Sequence, residues 1–275
     1  MSEADDSKAL ARLANKKVNY IAIPGADEVR MQALVSWIKS KRTNDKKTFK
    51  AVTANITADD EGIINFTTEN IKVGSKTYTA KDYVCRIAGI LAGLPFTRSS
   101  TNYELPEIES ITEHLNPDED IDNGQLILIF DGEVVKIGRG VNSLTTTSPS
   151  KGEKFKKIRV VEAIDLIRDD IKTTWIEMYS GKVNNTYNNK LLFLGAVNAY
   201  FKDLQKQEVL DPSFEALAEI DIESQRIYLQ SIGVEVEDMK DQEIKEYPTG
   251  DKVFVKAKGS ILDAMEDLDF GMLIA

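Results

Sequence analysis

One histidine and one cysteine narrow the chemistry this chain can perform. His114 stands in a polar stretch with Thr112, Glu113 and Asn116. Without a second histidine it forms no paired metal site, and its simplest reading is a surface side chain. Cys85 lies between Val84 and Ile87 in a helical pattern, which predicts a small buried thiol. Only Arg86 stands near enough in sequence to lower its pKa. Asp118-x-Asp120-x-Asp122 resembles the start of a calcium loop. The glycine comes one position late, at Gly124, and Ile129 occupies the place of the bidentate glutamate. The run therefore predicts a solvated loop. Gly138-Arg-Gly140 lacks a third glycine, and no Gly-Lys-Ser/Thr follows a strand, so no phosphate loop is expected.

One weak site is left. Ile21-Ala-Ile-Pro-Gly25 ends a strand and opens a helix, a position where α/β proteins bind anions. Asp27 and Glu28 in the first turn would repel a phosphate while capping a free helix end, so capping is the better account. A small α/β enzyme or nucleotide-binding protein using the loop from Pro24 to Asp27 remains the alternative reading. No catalytic, cofactor-binding or metal-binding residue is assigned, and no cofactor is expected.

Two other features ask for a partner. Leu268, Phe270, Met272 and Ile274 alternate with Asp267 and Asp269, and the chain closes on the apolar run Phe270-Gly-Met-Leu-Ile-Ala275. This predicts a final strand that either lies inside its own sheet or completes one with another subunit. Lys151, Lys154, Lys156, Lys157 and Arg159 cluster at the start of a predicted helix, where cations oppose the helix dipole. Asp263, Glu266, Asp267 and Asp269 form the opposite cluster near the chain end. The lysines are candidate contacts to a neighbouring acidic surface.

The elements that must carry these residues follow from periodicity. A helix is expected over Ser7–Lys16, a buried strand over Tyr20–Ile23 and a helix from Asp27 through Ile38. Strands follow at Thr48–Val52 and Gly62–Phe66, a hairpin at Ile71–Tyr78 and a helix at Lys81–Leu94. Pro95 to Asn123 reads as loop. Asp131-Gly132 between Leu126–Phe130 and Val134–Ile137 is a hairpin turn. Two long helices come next, Phe155 to Met178 and one from about Asn189 through Leu204. A shorter helix spans Ile222 to Ser231, and strands centred on Val253–Ile261 and Leu268–Ile274 close the chain. The fold class is an α/β N-terminal region with a mostly parallel sheet, 1–147, plus an α+β C-terminal domain with two long helices on a sheet, 148–275. A linker is expected at Thr145–Gly152.

A formal net charge of −10 argues against broad nucleic-acid binding. No apolar stretch approaches bilayer-spanning length, so no membrane insertion is expected.

Several blocks together resemble the tail sheath protein of contractile phages and phage-tail-like bacteriocins, of the type found in Gram-positive hosts and defective prophages. They are Asn19-Tyr-Ile-Ala-Ile-Pro-Gly25 with Ala33-Leu-Val-Ser-Trp-Ile38, Glu61-Gly-Ile-Ile-Asn-Phe66, Arg86-Ile-Ala-Gly-Ile-Leu-Ala92 and Gly138-Arg-Gly-Val-Asn-Ser-Leu144. Lys157-Ile-Arg-Val-Val-Glu162 through Trp175, and Asp263-Ala-Met-Glu-Asp-Leu268, complete the set. The resemblance implies a structural subunit, not an enzyme, stacked in hexameric rings around an inner tail tube and shortening on a trigger to drive that tube through a cell envelope. It implies other sheath subunits, the tube protein and a baseplate as partners. The expected location is a virion or tail-like particle assembled in the host bacterial cytoplasm. It implies neighbours linked by exchanged terminal strands joined to the sheet of the C-terminal domain, with most assembly and tube contacts in that domain. A non-contractile virion or baseplate module sharing the fold is a third reading. Sheath proteins generally begin with a longer N-terminal arm. This chain is expected to be a shortened form, with self-assembly weakened accordingly.

Overall fold

The computed structural model describes residues 3–149 and 151–273. The chain divides into two compact units, residues 1–165 together with 264–275, and residues 166–263.

In the first unit α1 (Glu3–Leu13) precedes β1 (Tyr20–Ile21), α2 (Glu28–Thr43) and β2 (Lys50–Ala54). β3 (Ile63–Phe66) follows, then the pair β4 (Ile71–Val73) and β5 (Lys76–Tyr78), and α3 (Ala80–Gly93). The expected helix near the start begins and ends earlier than the periodicity suggested. α4 (Pro117–Asp122), β6 (Gln125–Leu126), β7 (Leu128–Phe130) and β8 (Val135–Ile137) complete the sequence-local elements. Four strands form a sheet in the order β1-β2-β3-β6, every pairing parallel. Ala51 faces Ile63 and Ala54 faces Phe66 across β2 and β3. Both of these strands are buried along their whole length, the pattern of parallel strands covered on each face.

The helices cover the sheet through apolar stripes. α2 buries Met31, Leu34, Val35 and Ile38, and α3 buries Tyr83, Val84, Ile87, Ile90 and Leu91, at the spacing of one helix face. Each such side chain contributes about 1.5–3 kcal/mol when fully buried. Asp27 caps α2, its carboxylate accepting the Arg30 N–H at 2.9 Å. α3 starts with a reciprocal pair: the Thr79 N–H donates to Asp82, and the Thr79 side chain takes the N3 backbone. The β7–β8 hairpin turns on Asp131, which accepts the N–H groups of Glu133 and Val134 at 2.9 Å each, and on Gly132 at φ +101°.

Three expectations in this unit need correction. The acidic run is the short helix α4, because Pro117 suits a first helical position and Asp118, Glu119 and Asp120 suit its positive end. Cys85 is exposed, since the residue after Val84 turns about 100° away from the buried stripe. His114 is no free surface side chain. Its ring stands 3.1 Å from Thr68 Oγ1 and 2.7 Å from Asp120 Oδ2, tying α4 to the end of β3.

A 3₁₀ turn at Glu153–Lys156 leads to α5 (Ile158–Thr174), which continues as a π turn over Trp175–Tyr179. The predicted long helix thus starts at Ile158, after Lys151, Lys154 and Lys156, so these lysines precede its first turn. Most of α5 opens the second unit. That unit also holds α6 (Tyr187–Lys206), β9 (Leu217–Ile220), α7 (Ile222–Ser231), α8 (Asp241–Glu246) and β10 (Val255–Lys258). β9 and β10 form an antiparallel ribbon with Val255 opposite Ile220. α6 buries Phe193, Leu194, Val197, Phe201 and Leu204. Leu229, Val236 and Ile244 make a smaller core. Among the described residues no strand follows β10. Leu268, Phe270 and Met272 lie in a segment with no helix or strand, and Ile274 lies outside the described residues.

Candidate functional site

The loop from Pro24 to Asp27 is occupied by local structure. The Gly25 N–H donates to the Lys81 carbonyl at 2.9 Å, and the Asp27 carboxylate is spent on the helix cap. A cleft in the first unit lies elsewhere, about 130 Å³ lined by Tyr20, Arg98, Ser100, Arg159 and Glu162 among others. In the second unit a cavity of about 430 Å³ is walled by Trp175, Tyr179 and Phe193, whose rings meet at 5.0–6.2 Å. Lys190 borders it and donates to Thr249 Oγ1 at 3.0 Å, and burial pushes its ammonium pKa down. Among the described residues no group of acidic, histidine or cysteine side chains is placed to hold a metal ion. No helix among them is long and apolar enough to cross a membrane.

The first unit contains a buried ion cluster that the sequence did not reveal. Asp165, 4 % exposed, accepts from Arg42 at 2.8 and 3.2 Å and from Lys50 at 3.2 Å. Glu162 stands 3.4 Å from Lys50, and Glu61 stands 3.6 Å from Arg42. The cluster ties α5 to α2 and β2. Buried charges persist only where paired, and here Arg42, Lys50, Asp165 and Glu61 each meet two opposite charges while Glu162 meets Lys50.

The four lysines selected by charge fall into different circumstances. Lys151 pairs with Glu61 at 2.7 Å, Lys156 with Glu153 at 2.9 Å, and Lys157 lies 3.6 Å from Glu266. Lys154 is exposed and, among the described residues, makes no ion pair.

The chain end shows an abrupt change from held to free. The Glu266 side chain is 8 % exposed. Its Oε1 accepts from Ser99 Oγ at 2.6 Å and Thr101 Oγ1 at 2.8 Å, while Arg139 reaches Oε2 at 3.2 Å. Arg139 also bonds Asp267. Burial pushes the Glu266 pKa up, but the two hydroxyls, Lys157 and Arg139 outweigh it and leave the carboxyl below its ordinary range. Gly138-Arg-Gly140 supplies this geometry. The Gly140 N–H donates to Thr101 Oγ1 at 2.9 Å, and a Cβ there would lie 2.5 Å from Ser100 Oγ. Beyond Asp267 the chain is solvent-facing: Leu268 is 88 % exposed, Phe270 75 % and Met272 69 %. The sequence placed Glu266 and Lys157 in clusters of opposite sign. It did not signal the hydroxyls of Ser99 and Thr101, far away along the chain.

Comparison with known proteins assigns the chain to a group. The family described as phage tail sheath protein central domain matches residues 1–143, and the phage tail sheath C-terminal domain matches residues 150–274. The tail sheath protein of Clostridium phage phiCD119 is 42 % identical over 262 residues, covering 94 % of this chain and 73 % of that protein. The crystal structure of a sheath tail protein from Listeria innocua superimposes with a TM-score of 0.72 at 20 % identity. It covers 96 % of this chain, and this chain spans 61 % of that one. The helical sheath of the anti-feeding prophage in its contracted state gives a TM-score of 0.70 at 14 % identity, covering 99 % of this chain and 76 % of that one.

Proposed function

Because the chain belongs to the phage tail sheath family, a family of structural proteins and not of enzymes, we propose that it is one subunit of a contractile sheath. In this reading copies of the chain polymerise around an inner tube above a baseplate and contract to drive the tube through a cell envelope. The particle is a phage tail or a tail-like, bacteriocin-type assembly, put together in the host cytoplasm. The C-terminal part, residues 148–275, carries the assembly and tube contacts.

The observation that carries this reading is the arm beyond Glu266. Leu268, Phe270, Met272 and Leu273 are exposed there, and among the described residues no strand pairs with this segment. Such a segment would be an aggregation liability unless another chain supplies the pairing. The β9–β10 ribbon is a fitting acceptor. β10 is exposed at all of its residues, and a two-stranded ribbon gains stability by adding strands. Leu268, Phe270, Met272 and Ile274 are then the residues that set register, since a slip of one residue exchanges the two faces. Of the four lysines, Lys154 is the one left for a tube or neighbour, with Lys151, Lys156 and Lys157 shaping the local potential.

Deletion of residues 268–275 is the direct test, made in the particle that carries this chain. The subunit is expected to keep its melting temperature, and electron micrographs are expected to show no ordered sheath. Intact, contractile sheaths from the deletion would overturn the proposal. Lys154→Glu is expected to slow assembly around the tube without changing subunit stability.

A further inference from the structure

Exposed acidic side chains near a chain end are normally loose, and Glu266 is not. Both of its carboxylate oxygens have partners, two hydroxyls on Oε1 and two cations about Oε2. Burying a carboxylate is costly unless it is paired and hydrogen-bonded, so this set of contacts is a fitted cradle. Its members come from three separate stretches, Ser99 with Thr101, Arg139, and Lys157, so the cradle exists only when the first unit is folded. The residues from 264 onward belong to that unit, whereas β10, a few residues earlier, belongs to the other. Two positions past Glu266 the side chains are almost fully exposed.

We propose that Glu266 is a strain anchor for the terminal arm. It fixes the point at which the arm leaves the first unit. A pull on the arm is taken up by the cradle and does not travel back along residues 259–265 to unzip β10 from β9. The free arm then has a defined origin, and Leu268 to Leu273 reach about 20 Å when extended. A short tether of fixed origin keeps its effective concentration near an acceptor high, which a longer, looser one would dilute. The use of the anchor in a sheath rests on the reading above, while its existence does not.

The anchor is therefore tested on the isolated 275-residue chain. In hydrogen exchange the Leu262 amide, which donates to the Val209 carbonyl at 3.0 Å, is expected to be protected in the wild type, with residues 269–273 exchanging freely. Glu266→Ala is expected to speed exchange at Leu262 by roughly ten- to a hundredfold, the effect of losing a charged hydrogen-bonded group, with the rest of the first unit still folded. Glu266→Gln keeps an acceptor for both hydroxyls and loses the charge, so it should fall between. Should Glu266→Ala fail to fold, the pair Ser99→Ala with Thr101→Val removes the two hydroxyl donors and leaves the carboxylate in place. A second readout is mechanical. The exposed thiol of Cys85 gives a handle on the first unit and the C-terminus gives the other. Under load the wild type should show a first yield event that moves to lower force in Glu266→Ala. Equal exchange at Leu262 in wild type and variants, or an unchanged first yield, would overturn the anchor. The arm-deletion result bears on the sheath reading alone, so the two can fail separately.

Discussion

β2 and β3 and the terminal arm are all apolar segments, yet they meet opposite fates. Ile63, Ile64 and Phe66 are fully buried between helices, with parallel neighbours on each side. Leu268, Phe270 and Met272 face solvent with no strand beside them. The side chains are of one kind, and what differs is whether the chain itself supplies backbone partners. An apolar segment whose partners are internal becomes core, and one whose partners are missing becomes a surface for another chain.

That contrast can be broken or sharpened by substitution. The largest effect is expected where charge supports the core. Asp165→Ala strands Arg42 and Lys50 without their shared carboxylate and should cost about 3–5 kcal/mol in denaturant unfolding. A loss below about 1 kcal/mol would mean that Glu162 and Glu61 hold the two cations unaided. Ile64→Ala opens a cavity in a strand covered on both faces and should cost about 2–4 kcal/mol by the same measurement. Phe270→Ala, a larger truncation in the arm, should change the stability of the isolated chain by less than about 0.5 kcal/mol while impairing assembly. A large stability loss there would show that the arm is core after all.

The smallest and most specific effect concerns pH. In the folded chain burial pushes the Glu266 carboxyl up, but the Ser99 and Thr101 hydroxyls, Lys157 and Arg139 outweigh it, so the group titrates below the ordinary glutamate value of 4.5. Its contribution is therefore fully present above pH 4.5 and is lost as pH falls through the lower folded value. A spin label at position 270, in Phe270→Cys with Cys85→Ser, should show the arm gaining freedom only below pH 4.5. The same label in Glu266→Ala should be mobile at every pH. Release already at neutral pH in the parent chain would contradict the cradle.

Much of the fold could be read in advance because its signals are local. Asp131-Gly132 between apolar runs, the capped start of α2 at Asp27 and the apolar stripe of α6 each need only a few neighbouring residues to be recognised. β9 and α8 went unread because Leu217–Ile220 and Asp241–Glu246 are too short to show a period. The candidate site was legible by halves. The alternation at Leu268 to Met272 and the opposed charges of Lys157 and Glu266 stand out in the sequence. That Lys157 and Glu266 meet within one chain does not, because the contact depends on folding together stretches more than a hundred residues apart. The Arg42–Lys50–Asp165 cluster was hidden for the same reason, since charged residues read as solvated unless their partners are known.

Gly140 carries a consequence for how this sequence can vary. Any replacement adds a Cβ that lies 2.5 Å from Ser100 Oγ and 3.2 Å from Ser99 Oγ, and so pushes on the loop that presents hydroxyls to Glu266. Removing the nearer obstacle should restore room, so Ser100→Ala is expected to rescue Gly140→Ala. The two positions are coupled epistatically: a change at 140 becomes tolerable only on a background already altered at 100. In a library randomised at both positions, survivors should pair any side chain at 140 with the smallest ones at 100, while Gly140 accepts Ser100 or Ala there alike.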